Sequence, residues 1–231
     1  MIIILQKNKS KYFFFLLLSL ILAFVLVGQR SPFFYDWVLA VNAKGGPLIV
    51  IDAGHGGRDP GAVAGGVLEK NINLEVAKKL QKILQSRGFR VVMTRNGDEN
   101  LANWRDNGSF QRASLWQRAK ISNTKKAFLL VSIHCNSDGN KTYHGAQTFY
   151  HPGSAQGQKA AASIQEELIK VRYTRRKAIP GDYYLLRNTN CTTVIVELGY
   201  LSNPGDFKFL NTTDSRNQYA QAIANGIAKV Y

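Results

Sequence analysis

The sequence predicts an α/β fold: a single domain with a mostly parallel central sheet flanked by helices. Short continuous apolar runs, such as residues 47–52 and 127–133, are typical of strands buried on both faces of a sheet. Segments with helical periodicity alternate with these runs along the chain. The 231 residues, 45% hydrophobic and 19% charged, leave room for one domain of ordinary size.

An N-terminal membrane signal or anchor helix is predicted ahead of this domain. An apolar run over residues 12–28 follows three lysines, Lys7, Lys9 and Lys11. Cleavage and retention are both open, but the small residues at 41–43 lie far past the run, which favours a retained anchor. The lysines place the bulk of the chain outside the membrane. We therefore divide the chain into a signal or anchor segment with linker, residues 1–44, and a folded domain, residues 45–231.

The predicted elements follow one another in a regular order. The first strand, 47–52, leads into a Gly-rich loop and then a helix that Asn71 would cap and Gly88 would end. One face of this helix is apolar, and it carries Ile72, Val76, Leu80, Ile83 and Leu84. The remaining predicted elements are a strand at 89–94, a helix at 115–122, a strand at 127–133, a strand at 145–150, a helix at 155–171, a strand at 193–198 and a helix at 219–230.

The net charge of +15 favours an acidic partner such as nucleic acid, anionic lipid or an anionic wall polymer. We predict no nucleic-acid binding, because no aromatic-interleaved basic motif accompanies the charge. The tightest basic cluster is interpreted as a solvated helix end, and it comprises Arg172, Arg175, Arg176 and Lys177. Two cysteines are too few for a disulfide framework, and we expect Cys135 and Cys191 to be unpaired.

Four polar residues fall where apolar strands end or helices begin: His55, Glu69, His134 and Glu197. Strand ends in a parallel sheet converge on one edge, so these side chains are expected to meet. Two histidines and one carboxylate form a common catalytic zinc set that leaves a fourth position for water. The same donors also suit other divalent ions, and the spacing alone is weak support.

Motif context is more specific. VIDAGHGG at 50–57 with DPGA at 59–62, LEK at 68–70, SIHCN at 132–136 and VELGYLSN at 196–203 resemble motifs of the zinc-dependent N-acetylmuramoyl-L-alanine amidases, the amidase 3 family. The resemblance runs from about residue 47 to the C-terminus. It implies that one zinc ion is held by the ligands His55, Glu69 and His134. It also implies that Glu197 is the catalytic carboxylate and that 45–231 is the catalytic domain.

The implied reaction is hydrolysis of the amide that joins the lactyl group of N-acetylmuramic acid to L-Ala of the stem peptide in peptidoglycan. The chain most resembles the short germination-specific amidases, which implies spore-cortex muramic δ-lactam formation and an extracytoplasmic location, with an activator protein as a candidate partner. Vegetative wall turnover or cell separation is an alternative role. A wall-binding protein without catalysis is a third hypothesis, which the intact set of four residues argues against.

Several other residues receive lesser predictions. Arg95 and Arg118 resemble recurring arginines of the family, for which structural pairing and substrate contact are both open. His144 and His151 are expected at the surface, and Asn136 and Asn203 are candidates to orient the site by hydrogen bonding. Glycines of the loop at 54–66 are expected to let the backbone turn around the metal.

Overall fold

The computed structural model describes residues 45–102 and 109–231. The predicted signal or anchor segment therefore lies outside the described residues, and its helix and the proposed boundary at residue 45 remain predictions. Within the described part of the chain, no helix is long and apolar enough to cross a membrane.

A six-stranded sheet forms the centre of the domain, with strand order β4-β1-β5-β8-β6-β7. Every neighbouring pair is parallel except β6 and β8, so the mostly parallel sheet is confirmed. Two short strands form a separate antiparallel hairpin, β2-β3. The strands are β1 Leu48–Ala53, β2 Val63–Ala64, β3 Val67–Leu68, β4 Arg90–Met93, β5 Leu129–Asn136, β6 Gln147–Tyr150, β7 Ile179–Pro180 and β8 Thr192–Tyr200.

Helices cover both faces of the sheet. The described helices are α1 Glu69–Ser86, α2 Phe110–Thr124, α3 Ala155–Val171, α4 Tyr184–Asn188, α5 Pro204–Leu210 and α6 Thr213–Ala228. Apolar residues of α1, α3 and α6 join one core with alternate residues of the strands, such as Ile49 and Ile51. On the other face Val50 and Leu130 pack with Ala119 of α2 and Leu185. The alternation of burial partners follows from the two-residue side-chain period of a strand.

The start of α1 corrects one prediction. The helix begins at Glu69 rather than after a capping Asn71, and Leu68 occupies the cap position without a side-chain hydrogen bond. The backbone N–H groups of Glu69 and Lys70 donate instead to carbonyls of the preceding loop, those of Ala62 and Pro60. Because the loop satisfies these first-turn donors, no capping side chain is needed. Glu69 therefore lies inside the helix, not ahead of it.

Sheet topology brings the predicted site residues together. β5 lies between β1 and β8, and the register pairs His134 directly with Glu197. His55 follows β1 by two residues, and Glu69 opens the helix that leaves the same loop. The site thus lies at the carboxyl ends of three adjacent parallel strands, where α/β sheets commonly bind ligands.

Candidate metal centre and active site

The side chains of His55, Glu69 and His134 converge on one point. Each offers one donor atom, and the three atoms all lie within 4.8 Å of one another. Glu69 Oε1 is 3.1 Å from His55 Nε2 and 3.1 Å from His134 Nδ1. The two imidazole rings are nearly perpendicular, with centroids 5.0 Å apart. Within the described residues, this trio is the group whose side chains can hold a metal ion.

Glu69 is fixed by backbone and side-chain donors as well as by the histidines. Its Oε1 accepts from the backbone N–H of Cys135 and from Asn73 Nδ2, each at 3.0 Å, and its Oε2 accepts from the backbone N–H of Ala62 at 2.8 Å. Burial raises the pKa of Glu69, but hydrogen bonds and charges of His134 and His55 outweigh burial and hold that pKa below its usual range. The carboxylate is therefore ionised and aimed between the two imidazoles.

His55 is placed by a strained loop. Its backbone φ of 62° lies in the left-handed region, which is uncommon for a residue other than glycine. Its Nδ1 donates to Asp59 Oδ2 at 2.8 Å, and Nε2 faces Glu69. Burial lowers the pKa of His55, but Glu69 and Asp59 together raise it to about 8. A metal ion at this site would have to displace a proton from the ring.

Two glycines let the loop approach the histidines. A Cβ on Gly54 would lie 2.2 Å from the His134 ring, and one on Gly61 would lie 2.5 Å from Glu69 Oε2. These contacts agree with the prediction that glycines let the loop turn closely around the site.

Two buried arginines bind the backbone carbonyls of the loop that carries His55. Arg118 pairs with Asp52 and donates from Nη2 to the His55 carbonyl at 2.7 Å. Arg95 donates to the carbonyls of Ala53 and Gly54. Burial raises the pKa of Asp52, yet the Arg118 charge and hydrogen bonds from Ser132 and Thr94 hold it below its usual range. Both arginines are therefore structural supports, which answers the question that the sequence left open.

Replacing Arg118 with alanine is expected to lower the free energy of unfolding by about 3–5 kcal/mol, because Asp52 would remain buried without its counter-ion. Urea denaturation of the purified protein measures this loss. Arg112, exposed on the same helix, is the matched control, and its alanine variant should stay within about 0.5 kcal/mol of the parent. Equal stability of the two variants would show that the buried pair is dispensable.

Glu197 is the register partner of His134 but does not belong to the cluster of three donors. The side chain is 8% exposed, and within the described structure its Oε2 has no hydrogen-bond partner. Burial raises the pKa of Glu197 to about 7, Glu69 adds to the rise, and His134 and His55 oppose it. A carboxyl group with a pKa near neutrality and a free oxygen is suited to take up and release a proton.

The remaining histidines, the cysteines and two asparagines lie outside the cluster of three donors. His144 and His151 are exposed, as expected, and both cysteines are free. The Asn136 side chain accepts from the backbone of Ser137, whereas Asn203 caps α5 and donates to the Lys141 carbonyl. These hydrogen bonds go to neighbouring loops and to α5, and the role of the two asparagines in orienting the site stays a prediction.

The basic cluster also needs correction, because two of its arginines are anchored rather than solvated. Arg172 Nε donates to Asp206 Oδ1 at 3.0 Å, and its guanidinium lies over the Phe209 ring. Arg176 donates to the His144 carbonyl and to Gln147 Oε1, each at 2.8 Å. α3 ends at Val171, so these arginines lie in the loop beyond it.

Sequence reasoning missed Asp59 and Asn73, which hold two members of the trio. Asp59 stands four residues after His55, and Asn73 stands one helical turn after Glu69. The helical spacing of Asn73 was a usable signal, once Glu69 was known to lie within the helix.

The fold and the site together define a class: α/β proteins with a two-histidine, one-carboxylate cluster and a separate buried carboxyl group, the arrangement of a metal-dependent hydrolase. The chain belongs to the N-acetylmuramoyl-L-alanine amidase family, whose profile matches residues 49–229. Its activity is accordingly that of an N-acetylmuramoyl-L-alanine amidase, a peptidoglycan hydrolase.

Individual relatives match over nearly the whole domain. The germination-specific N-acetylmuramoyl-L-alanine amidase of Bacillus subtilis strain 168 is 37% identical over 233 residues, which cover 98% of this chain and 97% of that protein. The CwlD amidase from Clostridioides difficile, solved in complex with the GerS lipoprotein, is 36% identical with a TM-score of 0.76 and covers 80% of this chain and 98% of its own. The catalytic domain of CwlV from Bacillus (Paenibacillus) polymyxa var. colistinus is 33% identical with a TM-score of 0.69, covering 79% and 97%.

Proposed function

We propose that His55, Glu69 and His134 bind one zinc ion and that Glu197 is the acid/base of the reaction. The bond cleaved is the amide between the lactyl group of N-acetylmuramic acid and L-Ala of the stem peptide. One observation carries the assignment of roles: a buried carboxyl group with an unpartnered oxygen lies next to a cluster of three donors.

The donor chemistry fits zinc. Two imidazole nitrogens and one carboxylate oxygen are the protein ligands of many catalytic zinc sites, which keep a further position for water or substrate. Asp59 accepts from the second ring nitrogen of His55, as carboxylates do for many metal-binding histidines. Asn73 and two backbone N–H groups fix Glu69 in the same way. These supports hold the donors in place before an ion arrives.

When bound, zinc polarises the amide carbonyl and lowers the pKa of water from about 16 toward about 7. Glu197 takes the proton from the attacking water at its free Oε2 and later delivers that proton to the departing amine of L-Ala. Burial raises the pKa of Glu197, which helps the group to give up, as an acid, the proton that it first took as a base. The products are a glycan strand lacking that stem and a free peptide.

The cellular setting is proposed from the relatives. Similarity to the germination-specific amidase of B. subtilis and to the C. difficile CwlD amidase supports a role in the spore cortex, where removal of the stem precedes δ-lactam formation. Action outside the cytoplasmic membrane agrees with that setting, with the N-terminal segment serving as anchor or signal. The complex of CwlD with the GerS lipoprotein supports a lipoprotein partner for this chain, and this partner is the candidate for the expected activator.

Digestion of purified peptidoglycan with the zinc-loaded protein tests the proposal. New amino-terminal L-Ala should appear with time, and the parallel reaction with chelator should release none. Tight wall binding without L-Ala release in the presence of zinc would instead indicate a binding protein. Salt-sensitive binding of duplex DNA at physiological ionic strength would support a nucleic-acid partner.

A further inference from the structure

Arg176 is held rigidly although it forms no ion pair with any described residue. Nε and Nη1 donate to the His144 carbonyl and to Gln147 Oε1. The guanidinium lies 4.7 Å from the centroid of the Tyr200 ring and 5.9 Å from that of Tyr143. The two hydrogen bonds orient the guanidinium, and the aromatic rings contact it without neutralising its charge. Nη2 has no hydrogen-bond partner among residues 45–102 and 109–231.

The contacts of this cation tie it to the pair of strands that carries the catalytic carboxyl group. Gln147 of β6 is the register partner of Glu197 in β8, so their side chains are neighbours on one face of the sheet. Gln147 also donates from Nε2 to the Lys177 carbonyl, which ties the arginine loop to β6. Tyr200, whose ring lies under the guanidinium, belongs to the same strand as Glu197. Arg176 therefore contacts Gln147, the register partner of Glu197, and lies on the side of the sheet toward β6.

Arginine with a fixed plane and free N–H groups matches the geometry of a carboxylate. In the substrate, the lactyl carboxyl of muramic acid is already consumed in the amide, and the N-acetylated sugars are neutral. Negative charge close to the scissile bond must therefore come from a carboxylate of the stem peptide beyond L-Ala. We propose that Arg176 is a specificity-determining residue that binds this carboxylate and so places the peptide side of the substrate over β6.

This inference rests on the proposed function, and two muropeptides test it. They are identical except that the residue after L-Ala carries either a free α-carboxylate or the carboxamide. For the zinc-loaded parent, kcat/KM should be higher for the carboxylate substrate. Arg176→Gln should lower kcat/KM roughly 10- to 100-fold for the carboxylate substrate and less than about threefold for the carboxamide, mainly through KM. Arg176→Lys keeps the charge but loses the planar pair of N–H donors, so its kcat/KM for the carboxylate substrate should lie between those of the parent and Arg176→Gln.

The matched control is Arg175→Ala, because Arg175 is exposed and forms no hydrogen bond or ion pair with the described residues. Its kinetics should match the parent with both substrates. Equal losses on both substrates in Arg176→Gln would mean that the arginine only supports the loop, and unchanged kinetics would exclude any role.

Equilibrium binding of both muropeptides to the metal-free protein separates this inference from the proposed function. Preferential binding of the carboxylate form that Arg176→Gln abolishes would support the inference even if neither compound is hydrolysed. Equal binding of the two forms by the parent would overturn the inference even if both are hydrolysed.

Discussion

Replacing Glu197 with glutamine is expected to lower kcat by roughly 10²- to 10⁴-fold, the usual contribution of a general acid/base. The amide of glutamine has nearly the same shape but cannot accept the proton of the attacking water. Zinc binding should be retained, because Glu197 does not belong to the cluster of three donors. Steady-state kinetics on a soluble muropeptide and zinc content by elemental analysis measure the two effects.

Glu166→Gln is the control for this variant, since that carboxylate is largely exposed on α3 and lies outside the site. It should retain the activity of the parent. Full activity of Glu197→Gln would overturn the assigned mechanism, and loss of zinc from the same variant would indicate that Glu197 is a ligand instead.

The pH dependence of the free energy of unfolding of the parent and of Glu197→Gln gives a second test of the role of Glu197. In the metal-free protein the pKa of Glu197 is raised to about 7 from 4.5, so the folded state binds this proton more tightly than the unfolded state. The resulting stabilisation is complete below pH 4.5 and is lost as the pH rises through about 7. The stability of the parent relative to Glu197→Gln should thus fall by up to roughly 3 kcal/mol across this range.

In the zinc-loaded enzyme, activity should rise with pH as Glu197 ionises. The midpoint should lie below about 7, because the positive charge of the ion favours the carboxylate.

Removing one ligand is expected to abolish zinc-dependent activity. Loss of a group that only supports a metal ligand commonly costs 10- to 100-fold in affinity or activity, so His134→Ala should weaken zinc binding by more than about 100-fold. Asp59→Asn alters the group that accepts the hydrogen bond from His55 Nδ1, and it should lower the zinc affinity by roughly 10- to 100-fold. Chelation of the parent should abolish activity, and added zinc should restore it.

Competition with a chromophoric chelator measures these affinities. His151→Ala is the control, because this histidine is exposed and outside the cluster, and it should bind zinc as the parent does. Unchanged zinc affinity in His134→Ala would place the ion elsewhere.

Much of the sheet and the meeting of the four residues could be predicted from sequence. The buried strands are recognisable in the sequence as continuous apolar runs. The helix α3 has the predicted bounds, because its amphipathic pattern begins after the capping residue Ser154. Polar residues at the ends of such strands are few, so His55, His134 and Glu197 stand out. Their motif context then points to a reaction that spacing alone does not specify.

What sequence could not supply depends on contacts between distant segments. The start of α1 was misplaced because loop carbonyls, not a capping side chain, satisfy its first N–H groups. The antiparallel position of β6 places Gln147 next to Glu197, and no local pattern encodes that register. The prediction of a solvated helix end fails for Arg176 because its partners, Gln147 and Tyr200, are remote in sequence.

One metal site and one buried carboxyl group are proposed to cleave the bond between muramic acid and L-Ala together. Mass spectrometry of peptidoglycan digested by the zinc-loaded parent and by Glu197→Gln tests this proposal. The parent should release free stem peptides with amino-terminal L-Ala and leave glycan fragments without stems, and the variant should give neither product. Fragments that still carry their stem peptides after digestion by the parent, or the same products from both proteins, would rule out the proposed mechanism.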